Sequence, residues 1–491
     1  MLLSSPMSQL GEHEARACAS RVWHAALLLT AACASAEPAA SPGAASAADK
    51  AAPAPSRDDA IMVNVALVTD KLTLPNGLLV VLHREPVATS AYVHVRYHVG
   101  SKDDPPGRSG LAHLFEHLMF QGSRHTGERD HNRWLEDVGG SSNASTDRDS
   151  TDYHEEVPAS ALPRALWLES DRMAYPLDKT TEESLGKERE VVKNEYRERY
   201  DNRPYGHVSS IARAAVFGRA HPYGRPTIGN EAELDAITLD NLRGFARDHY
   251  RPNNATLVVC APYDVKQTRE LVTKYFASIP PGAPRAPRTY PAPQLASDVR
   301  LDVEAGVDAP MIALAWPAPR VHEPGLQELR YGLRYFDADL SHRLVTEKKV
   351  ATDVSWYLDA GHLGSLVLVE VQLQRGASTD AALSVIDEYL TRASRLGRVY
   401  PWRSFADHRT RAVVSAVTRL EGLEGRAEQI LHGIEYHTER ETAQLDLRAL
   451  LAVKAADVGA AMEQFLVDRP RVTIVVRPTP GAPRAGRVVS R

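Results

Sequence analysis

The sequence contains little cysteine, no long apolar run and no excess of positive charge. Its 491 residues include three cysteines, too few to frame a disulfide-rich fold. It has no stretch of about eighteen consecutive apolar residues, so it predicts no membrane-spanning helix. The formal net charge of −5 gives no basic surface of the kind that binds nucleic acid, and we expect no nucleic-acid partner. The hydrophobic content of 43% is ordinary for a globular chain.

The N-terminal segment has the composition of a targeting sequence. Arg16 and Arg21 precede an apolar run at residues 22–32, which is too short to span a bilayer. Small residues at positions 34–36 offer a cleavage site. Together these features predict a signal peptide over residues 1–36. We therefore expect an exported protein, either periplasmic, lipid-anchored to a bacterial envelope membrane, or extracellular.

Two further expectations concern the region around this cleavage site. The pattern also resembles a bacterial lipoprotein signal, in which Cys33 would carry the lipid. Residues 37–60 are rich in Ala, Pro and Ser and predict a flexible tether. Cleavage after Ala36 leaves Cys260 as the one cysteine of the mature chain, so we expect no internal disulfide. Because Cys260 lies in an apolar run, it is predicted to be an inert core thiol.

Residues 109–122, SGLAHLFEHLMFQG, predict an amphipathic helix that carries two histidines and a glutamate. His113 and His117 are four residues apart and therefore share one helical face. Two imidazoles placed in this way can bind one metal ion, and Glu116 stands beside the ion, poised to take a proton from metal-bound water. The order H-x-x-E-H is the inverse of the commoner H-E-x-x-H motif. The alternative is that these histidines are ordinary core residues of an apolar helix.

A third candidate ligand comes from the charged helix predicted at residues 181–199. Glu188 and Glu195 share one face with Leu185 and Val192, at spacings of three and four. A carboxylate on an apolar face is costly unless it is paired or bound to a metal. A solvent-exposed charged helix is the alternative. It accounts well for the other acids of this segment and less well for Glu188 and Glu195.

Strands and helices alternate in a way that predicts an α+β fold of two similar halves. A hairpin with a Pro-Asn-Gly turn is predicted at residues 72–83, and a strand follows at residues 91–99. The proline-dense segment 280–295 predicts a linker. Each half is expected to be a sheet flanked by helices, the first at residues 61–279 and the second at residues 296–491.

The two halves carry matching segments, which indicates an internal repeat. Gly325 aligns with Gly110, and Pro470 aligns with Pro252 at a nearly equal offset. In the same register, three residues without a metal-binding pattern stand opposite the histidines and glutamate of the motif: Glu328, Tyr331 and Gly332. The second half is therefore expected to keep the fold and to lack the metal site.

Together these motifs resemble the pitrilysin/insulinase zinc peptidases, the M16 family, in its two-domain bacterial type. In that family the inverted motif is followed by a downstream glutamate that completes the zinc site. Glu195 matches that glutamate, and Glu188, at the start of the pattern E-R-x-V-V-x-N-E, matches an accessory catalytic glutamate. The resemblance implies that His113, His117 and Glu195 bind Zn²⁺ and that Glu116 is the general base.

The resemblance extends to a segment that contacts substrate in the family. Asn143, Ala144 and Thr146 match residues that pair with the backbone of the bound peptide, although Asn143 also suits an ordinary turn. Two more segments match the family: residues 221–229 and 250–259. The resemblance thus implies an endopeptidase that hydrolyses oligopeptides or unfolded segments.

In the second half, the Arg and the Tyr that active family members carry do not fall at the expected positions. These members carry an Arg and a Tyr in a non-metal half, which bind the substrate carbonyl and stabilise the oxyanion. Val345 and Thr352 fall near the expected positions, whereas Arg343 and Tyr357 lie out of register. We therefore expect a second, zinc-less subunit of similar fold that supplies the Arg and Tyr in a heterodimer. A homodimer is the alternative.

Two other classes of function compete with an exported zinc endopeptidase. A non-proteolytic assembly or chaperone subunit of the same fold would need no complete ligand set. A zinc-binding scaffold would give no reason for Glu116 or for the Asn143 segment. The complete set of candidate ligands and base favours the enzyme.

Overall fold

The computed structural model of the protein describes five stretches of the chain: residues 65–284, 288–321, 323–395, 402–437 and 442–490. The predicted signal peptide at residues 1–36, with Cys33, and the predicted tether at residues 37–60 lie outside the described residues. So do residues 285–287 of the predicted linker.

The first half is built on a six-stranded mixed sheet with the spatial order β1-β2-β6-β3-β5-β4. β2 and β6 run parallel, and the other neighbouring strands run antiparallel. The strands are β1 (Thr69–Thr73), β2 (Leu79–Arg84), β3 (Ser90–Tyr97), β4 (Ser141–Thr146), β5 (Thr151–Pro158) and β6 (Ala255–Ala261). The helices are α1 (Leu111–Leu118), α2 (Asp130–Glu136), α3 (Leu162–Ala174), α4 (Glu182–Tyr196), α5 (Val208–Phe217), α6 (Glu231–Asp235), α7 (Leu239–His249) and α8 (Val265–Phe276).

The predicted hairpin at residues 72–83 is confirmed as the antiparallel pair β1–β2. Gly77 in its turn has a φ of 86°, and a Cβ there would lie 2.7 Å from Cβ of Asn253. Asn76 donates hydrogen bonds to the carbonyls of Phe276 (2.8 Å) and Ile279 (2.9 Å). The Asn-Gly pair therefore both shapes the turn and ties it to the end of α8.

The second half repeats this plan, which confirms the predicted two-part α+β fold. Its sheet has the order β12-β7-β11-β8-β10-β9, again with one parallel pair, β7 and β11. The strands are β7 (Val299–Ala305), β8 (Met311–Ala318), β9 (Ala351–Asp359), β10 (Ser365–Leu373), β11 (Val472–Pro478) and β12 (Arg487–Ser490). The helices are α9 (Leu326–Ser341), α10 (Thr379–Ala393), α11 (Trp402–Thr418), α12 (Leu423–His437), α13 (Thr442–Ala452) and α14 (Ala455–Met462).

Each half donates one helix to the sheet of the other half. Val208, Ala212 and Val216 of α5 belong to the apolar core of the second sheet. Ala427 and Leu431 of α12 belong to a cluster with residues of the first sheet. An isolated half would expose both sets of side chains, so the two halves complete each other's cores. Among the described helices, none combines the length and the apolar character that crossing a membrane requires.

Cys260, predicted to be a core thiol, is buried in β6. It packs in the same cluster as the donated helix α12. Burial raises the pKa of its thiol to about 12, so the thiolate is absent at neutral pH.

A cluster of charged groups lies fully buried beneath the first sheet. Nη2 of Arg172 donates to Oε1 of Glu155 (3.0 Å) and to Glu169, three residues before it on α3. Burial and the neighbouring charge of Glu169 raise the pKa of Glu155. His131 lies 3.3 Å from Glu155, and burial lowers the pKa of its imidazole to about 3. The positive charge in this cluster therefore comes from Arg172 itself.

We predict that Arg172→Met lowers the free energy of unfolding by about 3–5 kcal/mol, because it leaves the buried carboxylate of Glu169, with Glu155 beside it, without its cation. The matched control is Arg133→Met, since Arg133 also pairs with an acid three residues before it, Asp130 (2.7 Å), but is exposed. We expect this control to cost less than about 1 kcal/mol. Urea denaturation followed by circular dichroism measures both, and equal losses would contradict the prediction.

Candidate metal centre

Helix α1 is fixed at its N-terminus by a buried aspartate and a glycine. The carboxylate of Asp104 accepts hydrogen bonds from the backbone N–H groups of Gly110 (2.8 Å) and Ala112 (2.9 Å). These are donors that a helix start leaves without intrahelical partners. Gly110 has a φ of 88°, and a Cβ there would collide with the carbonyl oxygen of Ile228. The start of the motif helix is therefore set by contacts with loops on either side.

Three of the predicted site residues converge between α1 and α4. Oε2 of Glu195 lies 3.4 Å from Nε2 of His117 and 3.9 Å from Nε2 of His113. One ligand atom from each residue lies within 4.8 Å of the others. Tetrahedral zinc with bonds of about 2.0–2.2 Å places its ligand atoms roughly 3.3–3.5 Å apart. The donor set and these separations therefore fit a zinc ion.

The helical phase of α4 separates Glu195 from the other acids of the segment. Leu185 and Val192 are fully buried, so the face that they share with Glu188 and Glu195 is turned inward. Glu190 is exposed and pairs with Lys193 on its own helix (3.1 Å). This is the arrangement that the spacing of three and four predicts.

Glu188 lies in the layer behind the histidines. Its Oε2 lies 3.3 Å from Nδ1 of His117, and its Oε1 accepts a hydrogen bond from Nε2 of Gln121 (2.8 Å). A carboxylate on Nδ1 fixes the imidazole with Nε2 turned toward the ligand cluster. Gln121 was not among the predicted residues, although its position four residues after His117 is a signal that could have found it.

Arg199 is a second residue that the sequence reasoning missed. Its Nη2 donates to Oε1 of Glu195 at 2.8 Å. Oε1 is thereby engaged, while Oε2 faces His113 and His117. The spacing of four residues between Glu195 and Arg199 is again the available sequence signal.

The carboxylate of Glu116 is buried and bonded to β4. Its Oε2 accepts a hydrogen bond from Oγ1 of Thr146 at 2.5 Å. Thr146 is expected to contact substrate, and its hydroxyl contacts the predicted general base. Asn143 is exposed on β4, which is the terminal strand of the first sheet, and its Oδ1 accepts from the backbone N–H of Ala144 (2.9 Å). The side chain of Ala144 packs against the first-half core.

The electrostatics of the cluster differ between the two histidines. Burial, aided by the charge of His117, lowers the pKa of His113 to about 4, so its imidazole is neutral at neutral pH. Burial opposes protonation of His117 as well, but hydrogen bonds with Glu188 and Glu195 outweigh it and raise the pKa to about 9. Burial raises the pKa of Glu116, against the lowering effect of the Thr146 hydrogen bond. A raised carboxyl pKa suits a group that both accepts and donates a proton.

The second half lacks these features at the corresponding positions. Among the described residues, two groups of His and Glu side chains are close enough to share a metal ion, and both lie in the first half: His113, His117 and Glu195, and His131, Glu155 and Glu169. The guanidinium of Arg343 lies 5.6 Å from the ring centre of Tyr389, and its Nε lies 3.8 Å from Asp339. Tyr357 packs against the core between α5 and the second sheet, and Thr352 donates to the carbonyl of Gln372 (3.3 Å).

Comparison with known families and proteins gives matches along most of the described chain. The family model described as Insulinase (Peptidase family M16) matches residues 79–231, and the one described as Peptidase M16 inactive domain matches residues 236–397. The border between the two matches precedes β6, although β6 pairs within the first sheet. The matched family regions therefore do not coincide with the two sheets.

The chain also resembles a relative named a zinc protease in sequence and solved proteases in fold. A Streptomyces coelicolor protein named as an uncharacterized zinc protease is 33% identical over 223 residues, which cover 44% of this chain and 48% of that protein. The matched part thus spans about half the length of this relative. The crystal structure of a protease from Helicobacter pylori has a TM-score of 0.74 and 23% identity, covering 84% of this chain and 100% of that chain.

The periplasmic protease PqqL from Escherichia coli has a TM-score of 0.69 and 18% identity, covering 86% of this chain and 49% of that chain. At these identities the likeness to solved structures concerns the fold. The two family models together cover nearly all of residues 79–397, and the inverted histidine motif lies within the first. The chain belongs to the insulinase family of peptidases, M16.

Proposed function

We propose that the protein is a zinc-dependent endopeptidase that hydrolyses oligopeptides or unfolded segments. The observation that carries the proposal is the convergence of His113, His117 and Glu195 beside the buried carboxylate of Glu116. Two imidazoles and one carboxylate, with a fourth position open, form the ligand set of catalytic zinc sites. Relatives that are named zinc proteases support the same activity.

Zn²⁺ held by His113, His117 and Glu195 would supply Lewis acidity at the scissile carbonyl. The protein orients these ligands from behind. Glu188 holds Nδ1 of His117 and Arg199 holds Oε1 of Glu195, so Nε2 and Oε2 face the same point. Carboxylate partners of this kind fix the tautomer of a ligating histidine.

Glu116 is the proposed proton carrier. Thr146 engages Oε2, which leaves Oε1 to accept a proton from the attacking water and to pass it to the leaving amine. Burial of the carboxyl raises its pKa toward the range in which it can do both. We assign Glu188 the role of an accessory group that supports turnover through His117.

The peptide is proposed to lie along β4. This strand ends the first sheet, so an extended peptide can add to it by backbone hydrogen bonds. Asn143, Ala144 and Thr146 are proposed to contact that peptide. The hydroxyl of Thr146 also bonds Glu116. The same strand would then align the substrate and position the base.

The protein is further proposed to be exported, to the periplasm or to the surface of an envelope membrane. The signal pattern over residues 1–36 supports export, and Cys33 offers a site for lipid attachment. The structural likeness to a periplasmic protease is consistent with this location.

A second subunit of the same fold is proposed to complete the enzyme. The chain covers 49% of the PqqL chain, so this chain and a partner of similar size would together match the length of PqqL. Arg343 and Tyr357 are held by contacts within the second half and with α5. We therefore propose a heterodimer in which a zinc-less partner supplies the Arg and Tyr for the oxyanion, with a homodimer as the alternative.

Glu116→Gln should lower peptide turnover by about a hundred- to ten-thousandfold and leave zinc bound, because it removes the proton acceptor and no ligand. Glu136→Gln, an exposed glutamate of the same half, is the matched control and should change neither property. Peptide cleavage and metal analysis on the same preparations test this. Full activity in Glu116→Gln would refute the mechanism. A zinc-bound wild-type chain that cleaves nothing, even with its partner, would favour the non-proteolytic assembly subunit.

For the ligand assignment, we expect Glu195→Gln to weaken zinc binding by at least about a hundredfold and Glu190→Gln to leave it unchanged. Both residues lie on α4, but only Glu195 faces the histidines. Glu188→Gln should reduce turnover while most of the metal is kept. Chelator competition measures the affinities. Equal zinc loss in the Glu190 and Glu195 variants would show that the assigned helical face is wrong.

For the partner, the purified chain should cleave peptides about a hundred- to a thousandfold more slowly than its mixture with the zinc-less subunit. Loss of oxyanion donors lowers the turnover rate by about that factor. Light scattering gives the mass of each assembly before the assay. A homodimer or monomer that matches the rate of the mixture would rule out the heterodimer. A partner variant without its arginine provides the control.

A further inference from the structure

A cavity of about 640 Å³ opens between four helices of the second half, α9, α11, α12 and α13. Its floor is apolar, because Leu420, Leu447 and Val453 are buried there beside the ring of Tyr331. The volume lies in the range of sites that hold small ligands or the end of a peptide. The metal cluster lies in the other half, between α1 and α4.

Three arginines line this cavity: Arg330, Arg334 and Arg419. Within the part of the chain that the structure describes, neither Arg334 nor Arg419 forms an ion pair, and Nη1 of Arg419 donates to Oγ of Ser415 (3.1 Å). Both side chains are exposed, so their guanidinium groups are accessible. Partial desolvation together with the positive charges of Arg419 and Arg330 lowers the pKa of Arg334. An anion placed among these groups would relieve that repulsion.

Three acids also line the cavity, and two of them contact groups other than these arginines. Oε2 of Glu428 lies 3.3 Å from Arg96 of the first half, and Oδ2 of Asp446 accepts a hydrogen bond from Gln429 (2.7 Å). Glu424 is the further carboxylate of the lining, and it is exposed. The cavity therefore combines an apolar floor with two accessible guanidinium groups, those of Arg334 and Arg419, which form no ion pair within the described residues.

We infer that this cavity binds the C-terminal end of an oligopeptide, with the terminal carboxylate on Arg334 and Arg419 and an apolar last side chain on the floor. Guanidinium groups bind carboxylates in a planar, two-pronged geometry, and apolar walls favour an aliphatic side chain. The inference rests on the proposed peptidase function for the presence of peptides, since every cleavage also creates a new terminal carboxylate. It assigns the second half a binding role of its own.

The test measures binding without cleavage, by fluorescence anisotropy on the full chain carrying Glu116→Gln. The probe is a labelled heptapeptide that ends in leucine, compared with the same peptide carrying a C-terminal amide. We expect the amide to bind about tenfold more weakly, since a charge-assisted bond is lost. The double variant Arg334→Gln/Arg419→Gln should weaken binding of the free-acid peptide to the level of the amide peptide. Arg411→Gln, an exposed arginine of α11 outside the cavity, is the matched control and should have no effect.

Two outcomes would overturn the inference. One is equal binding of acid and amide, or of the double variant and its control. The other is displacement of the probe by decanoate as strongly as by unlabelled peptide, which would assign the cavity to carboxylates in general. Because turnover does not enter the readout, arginine-dependent binding would persist even if the peptidase proposal failed.

Discussion

The contact of His117 with two carboxylates from one helix is the interaction on which the candidate site depends. Glu188 and Glu195 lie two turns apart on α4 and reach opposite nitrogens of the same imidazole. Each contact alone would leave the ring free to rotate, whereas the pair fixes its plane and its distance from α4. His113 then needs only its position one turn earlier on α1 to face the same point.

That local arrangement depends on the exchange of helices between the two halves. The next helix after α4 is α5, which packs against the second sheet, while α12 of the second half covers the first sheet. Arg96 on β3 joins Asp152 of its own half (2.6 Å) to Glu435 of α12 (3.1 Å). A change in how the halves meet would therefore act on α5, which follows the helix that supplies Glu195.

Residues whose position follows from helical periodicity could be predicted from the sequence. Residues that act through contacts between segments distant in the sequence could not. The spacing of Leu185, Glu188, Val192 and Glu195 gives the inward face of α4 because a helix repeats at fixed angles. Asp104 holds the start of α1, but nothing in the local sequence says that its carboxylate meets Gly110 and Ala112. Thr146 shows a third case, since its place in a substrate-contacting segment was predicted and its partner Glu116 was not.

The second half shows why a repeated fold need not keep a repeated site. Gly332 stands opposite His117 in the repeat, and a Cβ at Gly332 would lie 3.0 Å from Sδ of Met462 and from Cγ1 of Val458 on α14. Its counterpart His117 faces α4 instead. A side chain at position 332 would therefore require the side chains of Met462 and Val458 to shift. Packing of this kind stabilises the second half as a scaffold, and it leaves the polar face of α9, with Arg330 and Arg334, turned toward the cavity.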